Sequence, residues 1–348
     1  MVTFTTTTIP PVFVLSSGRC GSTMISNILN RHPRVLSLSE FVSYIGISSF
    51  RYRRLTGDRM WEIYSRQSKR TRVMLGGQYE ELLYPFDDPK ARFTRHDVPP
   101  ILCAMLPHLT ERHDELFDEL EPVVRGQPRQ SPADHCRFLF EWLCRRFGHD
   151  VWVERSGGSL IFAAKLLEEF PDARVIHVYR DGREAAISMS RHHIFREIMV
   201  NILAFRSLGY DAMKSMARGK YFDIAILRLE SLGMALFKPA RLPYHKLTRT
   251  DCGTLWSSMI ERGQRLFGHF QSDRLLNVRF EDMQAEPDTQ IRRLVRFIAP
   301  ALEDEAWLRE ACSIPRQTSS KFAQLALDEQ IALTEACRPG LESLGYSL

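Results

Sequence analysis

Three times along the chain, a short apolar run passes directly into a polar turn and then into a stretch whose apolar positions recur every three to four residues. The first is Pro11 to Leu15, followed by the turn Ser16 to Ser22 and a helical pattern carrying Ile25, Ile28 and Leu29 on one face. The second is Val175 to Tyr179, the turn Arg180-Asp181-Gly182, and a helix with Ala186, Ile187 and Met189. The third, Leu275 to Phe280, ends at Glu281-Asp282 and leads past Pro287 to a helix with Ile291, Leu294, Val295 and Ile298. Strands that alternate with helices in this way predict an α/β fold with a mostly parallel central sheet. Such sheets place ligands at the carboxyl ends of their strands.

Two long segments interrupt the pattern. Residues 48–148 hold a basic stretch and helical spacing such as Cys136, Phe140, Leu143 and Phe147, and residues 192–255 are also helical in character. The expectation is one domain over residues 1–348, with these two mainly helical insertions walling the site and choosing its second substrate. Arg51 to Arg72 is rich in Arg and Lys and also carries Tyr52, Trp61 and Tyr64; a solvated helical face is the first reading, contact with an acidic acceptor the second.

At 348 residues, 44% apolar and 26% charged, the chain is long enough for a sizeable core and too apolar for a disordered or fibrous class. A net charge of +5 does not demand a nucleic-acid partner, and it suits a surface that holds a polyanionic small molecule. The first residues lack a basic n-region and a long apolar core, and no apolar run approaches the ~18 residues of a membrane span, so a cytoplasmic protein is expected. The seven cysteines include no C-x-x-C pair and read as small packing residues in a reducing compartment.

The turn Ser16-Ser17-Gly18-Arg19-Cys20-Gly21-Ser22-Thr23 has the composition of an anion cradle. Gly18 and Gly21 allow sharp turning and close backbone approach, the following helix presents its positive end, Ser17, Ser22 and Thr23 add hydroxyls, and Arg19 adds a forked cation. The G-x-x-x-x-G-K-[ST] pattern is broken twice, by Ser16 at the first Gly and Ser22 at the Lys. The second strand ends in Tyr179-Arg180-Asp181 rather than a lone Asp suited to Mg²⁺, so a magnesium-dependent phosphoryl transferase is disfavoured and no metal is expected.

The strand and S-x-R-C-G-S-T loop resemble the 5′-phosphosulfate loop of the sulfotransferases that use 3′-phosphoadenosine-5′-phosphosulfate (PAPS). Val178-Tyr179-Arg180-Asp181-Gly182-Arg183, with Ser188 eight residues beyond Arg180, is similar to their 3′-phosphate motif R-D-x-R-x-x-x-x-S. The resemblance covers about Val12 to Glu40, Trp152 to Arg191 and Leu275 to Tyr346, and it implies a P-loop-like three-layer fold. It also implies transfer of a sulfuryl group from PAPS to a hydroxyl of a small-molecule acceptor, releasing adenosine-3′,5′-bisphosphate.

On that resemblance Ser17 to Thr23, Arg180 and Ser188 bind the donor, and Ser319-Ser320-Lys321-Phe322 is similar to a late loop that closes over the nucleotide through Lys321. Glu40, twenty-one residues after Arg19, stands at the spacing of the catalytic Glu of many members, the tyrosylprotein sulfotransferases among them. A strand cap or an ion pair with Arg19 is its other reading. Arg155 stands where the tyrosylprotein enzymes have a Lys in K-[DT]-P, here changed to Arg155-Ser156-Gly157-Gly158 without the Pro; a plain salt bridge is the alternative.

His192 and His193 rank behind Glu40 as base, His32 and His177 read as packing residues, and Trp256 reads as core before adenine platform. Two other activities remain open at this point: a small-molecule kinase using ATP and Mg²⁺, and a protein that binds adenosine bisphosphate without turnover.

Overall fold

The computed structural model describes residues 9–77, 81–207, 209, 211, 213–215 and 247–348. Five strands form one sheet: β1 Val12–Ser16, β2 Val35–Ser39, β3 Val151–Arg155, β4 Arg174–Tyr179 and β5 Leu275–Arg279. All neighbours are parallel, in the order β2-β3-β1-β4-β5. The sheet is therefore an α/β core, as the strand–turn–helix rhythm predicts.

Alternation along the strands builds two separate apolar layers. Phe13, Leu15, Leu36, Leu38, Trp152 and Val175 face one cluster, whereas Val12, Val14, Val35, Val151, Val153, Ile176 and Val178 face the other. A sheet covered on both sides needs apolar residues at both parities, which is why these strands read as unbroken hydrophobic runs.

The second face is covered by α1, Ser22–Asn30, through Ile25, Ile28 and Leu29, and by the helix Pro287–Ile298 through the four apolar positions its spacing marks. The first face is covered by α2 Phe41–Ile45, α3 Gly57–Ser65, α4 Lys69–Leu75, α5 Pro100–Cys103, α6 Met105–Leu109, α7 His113–Arg125 and α8 Pro132–Phe147. It also takes α9 Ala163–Glu169, α10 Gly182–Met189, α11 His193–Ser207 and the helix Arg249–Phe267. Segment 48–148 contains α3 to α8, and most of 208–246 within the second insertion lies outside the described residues.

Several single-residue expectations find their outcome here. In the basic stretch Trp61 and Tyr64 are buried while Arg51, Arg53, Arg54, Arg59, Arg66 and Arg72 are exposed, which is the solvated helical face. Trp256 is fully buried, pressed against Gly182 and Gly340, so it packs the core and is closed to an adenine ring. His32 accepts from Arg34 N–H at Nδ1 and packs on Trp307, and His177 is buried inside β4, paired with Asn277 at 3.0 Å. Burial holds the His177 imidazole down at about 4, so it stays neutral. All seven cysteines are free, and six of them are buried. Among the described residues, no helix is long and apolar enough to cross a membrane.

Candidate functional site

Because β1 lies between β3 and β4, the order of the sheet brings three turns together at one carboxyl edge: Ser17 to Gly21 after β1, Ser156 to Gly158 after β3, and Arg180-Asp181 after β4. Glu40 follows β2 at the same edge, beside the end of β3, where Ser39 and Arg155 are register partners. Chain direction thus assembles residues that are far apart in sequence.

The turn after β1 is built on left-handed backbone. Gly18 has φ 81° and Gly21 φ 86°, and between them Arg19 takes φ 54°. Neither glycine has room for a side chain, since a Cβ at Gly18 would fall 2.3 Å from the Phe195 ring and one at Gly21 would fall 2.3 Å from the Phe280 ring. The turn is tied down by the Gly18 N–H donating to Ser16 Oγ at 3.2 Å and the Ser16 N–H donating to Ser159 Oγ at 3.0 Å. Ser17 and Ser22 are buried and Thr23 is half-buried at the first turn of α1. The Cys20 side chain points into the apolar layer under the sheet, so only its backbone is available to a ligand.

Among the described residues only two non-glycines have left-handed φ, Arg19 at 54° and Glu40 at 58°. Each such residue costs about 1–3 kcal/mol, a strain that persists where the surroundings impose it and that concentrates at working sites. Both were singled out from sequence for other reasons.

Arg19 joins the two motifs. Its Nε donates to Ser188 Oγ at 3.0 Å, and its NH1 meets Glu81 Oε1 at 2.8 Å. Glu81 also faces His192 at 3.5 Å. Burial pushes the Glu81 carboxyl up, but the contact with His192 and the charges of Arg19 and His192 outweigh it and hold the group at about 2.

Arg180 lies over the Phe280 ring at 4.6 Å, and that same ring fills the space above Gly21, so the second motif leans on the first through one aromatic side chain. Its NH2 is 3.6 Å from Glu184, whose other oxygen accepts from Ser320 Oγ at 2.7 Å and Phe322 N–H at 2.9 Å. Glu184 thereby docks the Ser320–Phe322 segment, and with it the exposed Lys321, beside Arg180. Asp181 accepts from the Arg183 backbone N–H at 2.9 Å and from its Nε at 3.0 Å, so Asp181 caps α10 and holds the Arg183 guanidinium.

Glu40 and Arg155 form a buried pair, with side chains 7% and 3% exposed. Arg155 NH1 donates to Glu40 Oε1, Arg155 NH2 donates to Ser39 Oγ at 2.9 Å, and Gly157 N–H reaches both carboxylate oxygens at 3.1 and 3.0 Å. The ion-pair partner of Glu40 is therefore Arg155, and Arg19 pairs with Glu81 instead. His193 Nε2 donates to the Val73 carbonyl at 3.1 Å and packs on Gly77, a tie between the two insertions. Sequence reading missed Glu81 and Phe195, which sit in no recognisable pattern, and read Phe280 only as the end of the third apolar run; each reaches the site by tertiary packing.

Among the described residues, the buried Nε atoms of Arg155 and Arg180 have no hydrogen-bond partner, and the two glycines let the Phe195 and Phe280 rings pack directly on the turn. Three forked cations at strand ends with spare donors are the chemistry of a polyanion site.

A family model described as "Sulfotransferase family" matches residues 10–225, and one described as "Sulfotransferase domain" matches residues 161–322. No curated protein matches the sequence. Among solved structures, the chain is similar to the sulfotransferase domain from the curacin biosynthetic pathway, at 12% identity over 98% of this chain and 99% of that one, with a TM-score of 0.46. It is similar to the sulfotransferase domain of the Synechococcus PCC 7002 olefin synthase at 15% identity over 97% and 95% of the two chains, with a TM-score of 0.44. A sulfotransferase from Alicyclobacillus acidocaldarius gives 14% identity over 97% of each chain and a TM-score of 0.41.

Proposed function

The chain belongs to the sulfotransferase family, and from that premise we propose that it moves a sulfuryl group from PAPS to a hydroxyl of a small-molecule acceptor by in-line displacement, with Glu40 as base. The observation that carries this reading is the 3.0 Å hydrogen bond between Arg19 and Ser188, which makes the loop after β1 and the motif after β4 two halves of one anion site. Ser17 to Thr23 hold the 5′ end of the donor, and Arg180, Ser188 and Lys321 hold its 3′-phosphate.

PAPS supplies an electrophilic sulfuryl group on a bisphosphate leaving group. The protein supplies placement and charge. Glu40 takes the proton of the acceptor hydroxyl as its oxygen bonds to sulfur, and Arg19 and Arg155 stabilise the negative charge that collects on the departing phosphate oxygen. Arg155 already aims Glu40, and its Nε, without a hydrogen-bond partner among the described residues, is free for the sulfuryl oxygens. The insertions 48–148 and 192–255 form the acceptor side, and their contributions to date are Glu81, His192 and Phe195.

Calorimetry with adenosine-3′,5′-bisphosphate against ATP, followed by turnover of labelled PAPS on a panel of alcohols, tests the reading. Binding of the bisphosphate, preference for it over ATP, and transfer that disappears in Glu40→Gln are expected. Preference for ATP with Mg²⁺ would make the protein a kinase, and tight binding without turnover on any alcohol would make it a binding protein.

A further inference from the structure

The strand that delivers Arg155 also carries an acid in an apolar slot. Glu154 has Phe13 and Leu38 as its register partners and falls on the face of β3 shared with Trp152, inside the larger hydrophobic cluster. It is fully buried. Its Oε1 accepts from Val42 N–H at 3.2 Å and from Ser156 Oγ at 2.6 Å, and its Oε2 is buried with no hydrogen-bond partner among the described residues.

These contacts belong to a larger frame. Glu40 N–H donates to the Arg155 carbonyl at 2.7 Å, Ser43 N–H donates to Ser156 Oγ at 3.1 Å, and Gly157 N–H holds the Glu40 carboxylate. Every residue from Glu154 to Gly157 thus bonds to Glu40 or to the two residues that follow Phe41. This frame is what imposes the left-handed backbone at Glu40.

An amide or hydroxyl oxygen would accept the Val42 N–H equally well. A buried carboxyl adds only the burden of a charge, which costs several kcal/mol when it is unpaired, unless the charge itself has a use. Its nearest titratable neighbours are Glu40 and Arg155 at the strand end. Across the cluster, the Cys136 thiol of α8 is pushed up to about 12 by burial and takes a hydrogen bond from Tyr64 Oη of α3 at 3.6 Å, so both stay neutral.

Resting on the reading of Glu40 as the base, we propose that Glu154 is its positioning residue: it holds the Glu40 backbone in the left-handed turn, and its carboxyl is coupled to that of Glu40. Burial pushes the Glu154 carboxyl up to about 7, the Ser156 and Val42 hydrogen bonds oppose this, and the Glu40 charge adds to it. Coupling between two sites is reciprocal, so each carboxylate raises the affinity of the other for a proton by the same factor.

Infrared titration of the whole protein tests the coupling without needing an acceptor. The wild type should show a buried carboxylic-acid band that fades as pH rises through about 7. Glu154→Gln should lack that band, and Glu40→Gln should keep it with its midpoint lowered. A band that survives Glu154→Gln, or a midpoint unmoved by Glu40→Gln, would overturn the proposal. For the positioning role, exchange of the Val42 and Ser43 amides should be about tenfold faster in Glu154→Leu, matching ~1.4 kcal/mol, and unchanged in Glu154→Gln, which keeps the accepting oxygen; equal exchange in all three proteins would also overturn it. Binding of adenosine-3′,5′-bisphosphate, measured on the same samples, separates the two claims: its absence with the coupling intact defeats the reading of the site and not the frame.

Discussion

Glu81 occupies the cation that the donor needs, so replacing it should strengthen donor binding. The carboxyl is held at about 2 instead of 4.5, and at about 1.4 kcal/mol per pH unit this is about 3 kcal/mol of net attraction toward Arg19 and His192. Both side chains are mostly shielded, 12% exposed for Glu81 and 26% for Arg19, so solvent screening removes only part of it. Assigning about half to Arg19 leaves ~1.5 kcal/mol, the cost of prising the carboxylate away before an anion can use the same guanidinium. Glu81→Gln keeps the shape and removes the charge. Adenosine-3′,5′-bisphosphate should therefore bind about tenfold more tightly to the variant, with the advantage shrinking as salt is added. Titration calorimetry at low and high salt measures both. Unchanged or weaker binding in Glu81→Gln would mean that Arg19 and Glu81 serve the ligand together, and the competition argument would be refuted.

Two further outcomes follow from the same geometry. Arg180→Ala removes the forked donor that lies over Phe280, and charge-assisted bonds at about 1.5–3 kcal/mol each predict bisphosphate affinity lower by one to two orders of magnitude, read by the same calorimetry. Glu154 binds its proton more tightly in the folded state than in the unfolded chain, so its contribution is fully present below about pH 4.5 and is lost as pH rises to about 7; the loss is about 3 kcal/mol, and urea unfolding across that range should show it in the wild type and not in Glu154→Gln.

Much of the site was legible because its backbone is dictated locally. Gly18 and Gly21 announce a turn that needs left-handed φ, and they have it, at 81° and 86°. The alternation of apolar runs with helical spacing located β1, β4 and β5 and put Arg19 and Arg180 in turns at strand carboxyl ends; that β1 and β4 are neighbours comes from the sheet order. What the pattern does not carry is partnership across the fold. Glu40 and Arg155 lie 115 residues apart, and only the parallel register of β2 with β3 brings them into contact. Glu81 sits beside Arg19 because the first insertion folds back over the sheet edge, and Phe280 bridges Gly21 and Arg180 because it begins a helix where the strand was expected to continue.

The three arginines at the strand ends are each matched by a glutamate: Arg19 by Glu81, Arg155 by Glu40 and Arg180 by Glu184. Three guanidinium groups gathered at one edge repel one another, and in a partly buried site that repulsion would weigh against folding before any ligand arrived. The carboxylates remove it, and each does so from a different part of the chain. Glu81 comes from the first insertion, Glu40 from the end of β2, and Glu184 from the first turn of α10, where it also pins the Ser320–Phe322 segment. A polyanion that displaces them hands each carboxylate a new situation. On the proposed reading Glu40, freed from part of its hold on Arg155, becomes the base; Glu184 stays with the docking segment; Glu81 retains His192. Arrival of the donor would then be what arms the site, because the charge that neutralises Arg155 in the resting protein is the charge proposed to take the acceptor proton.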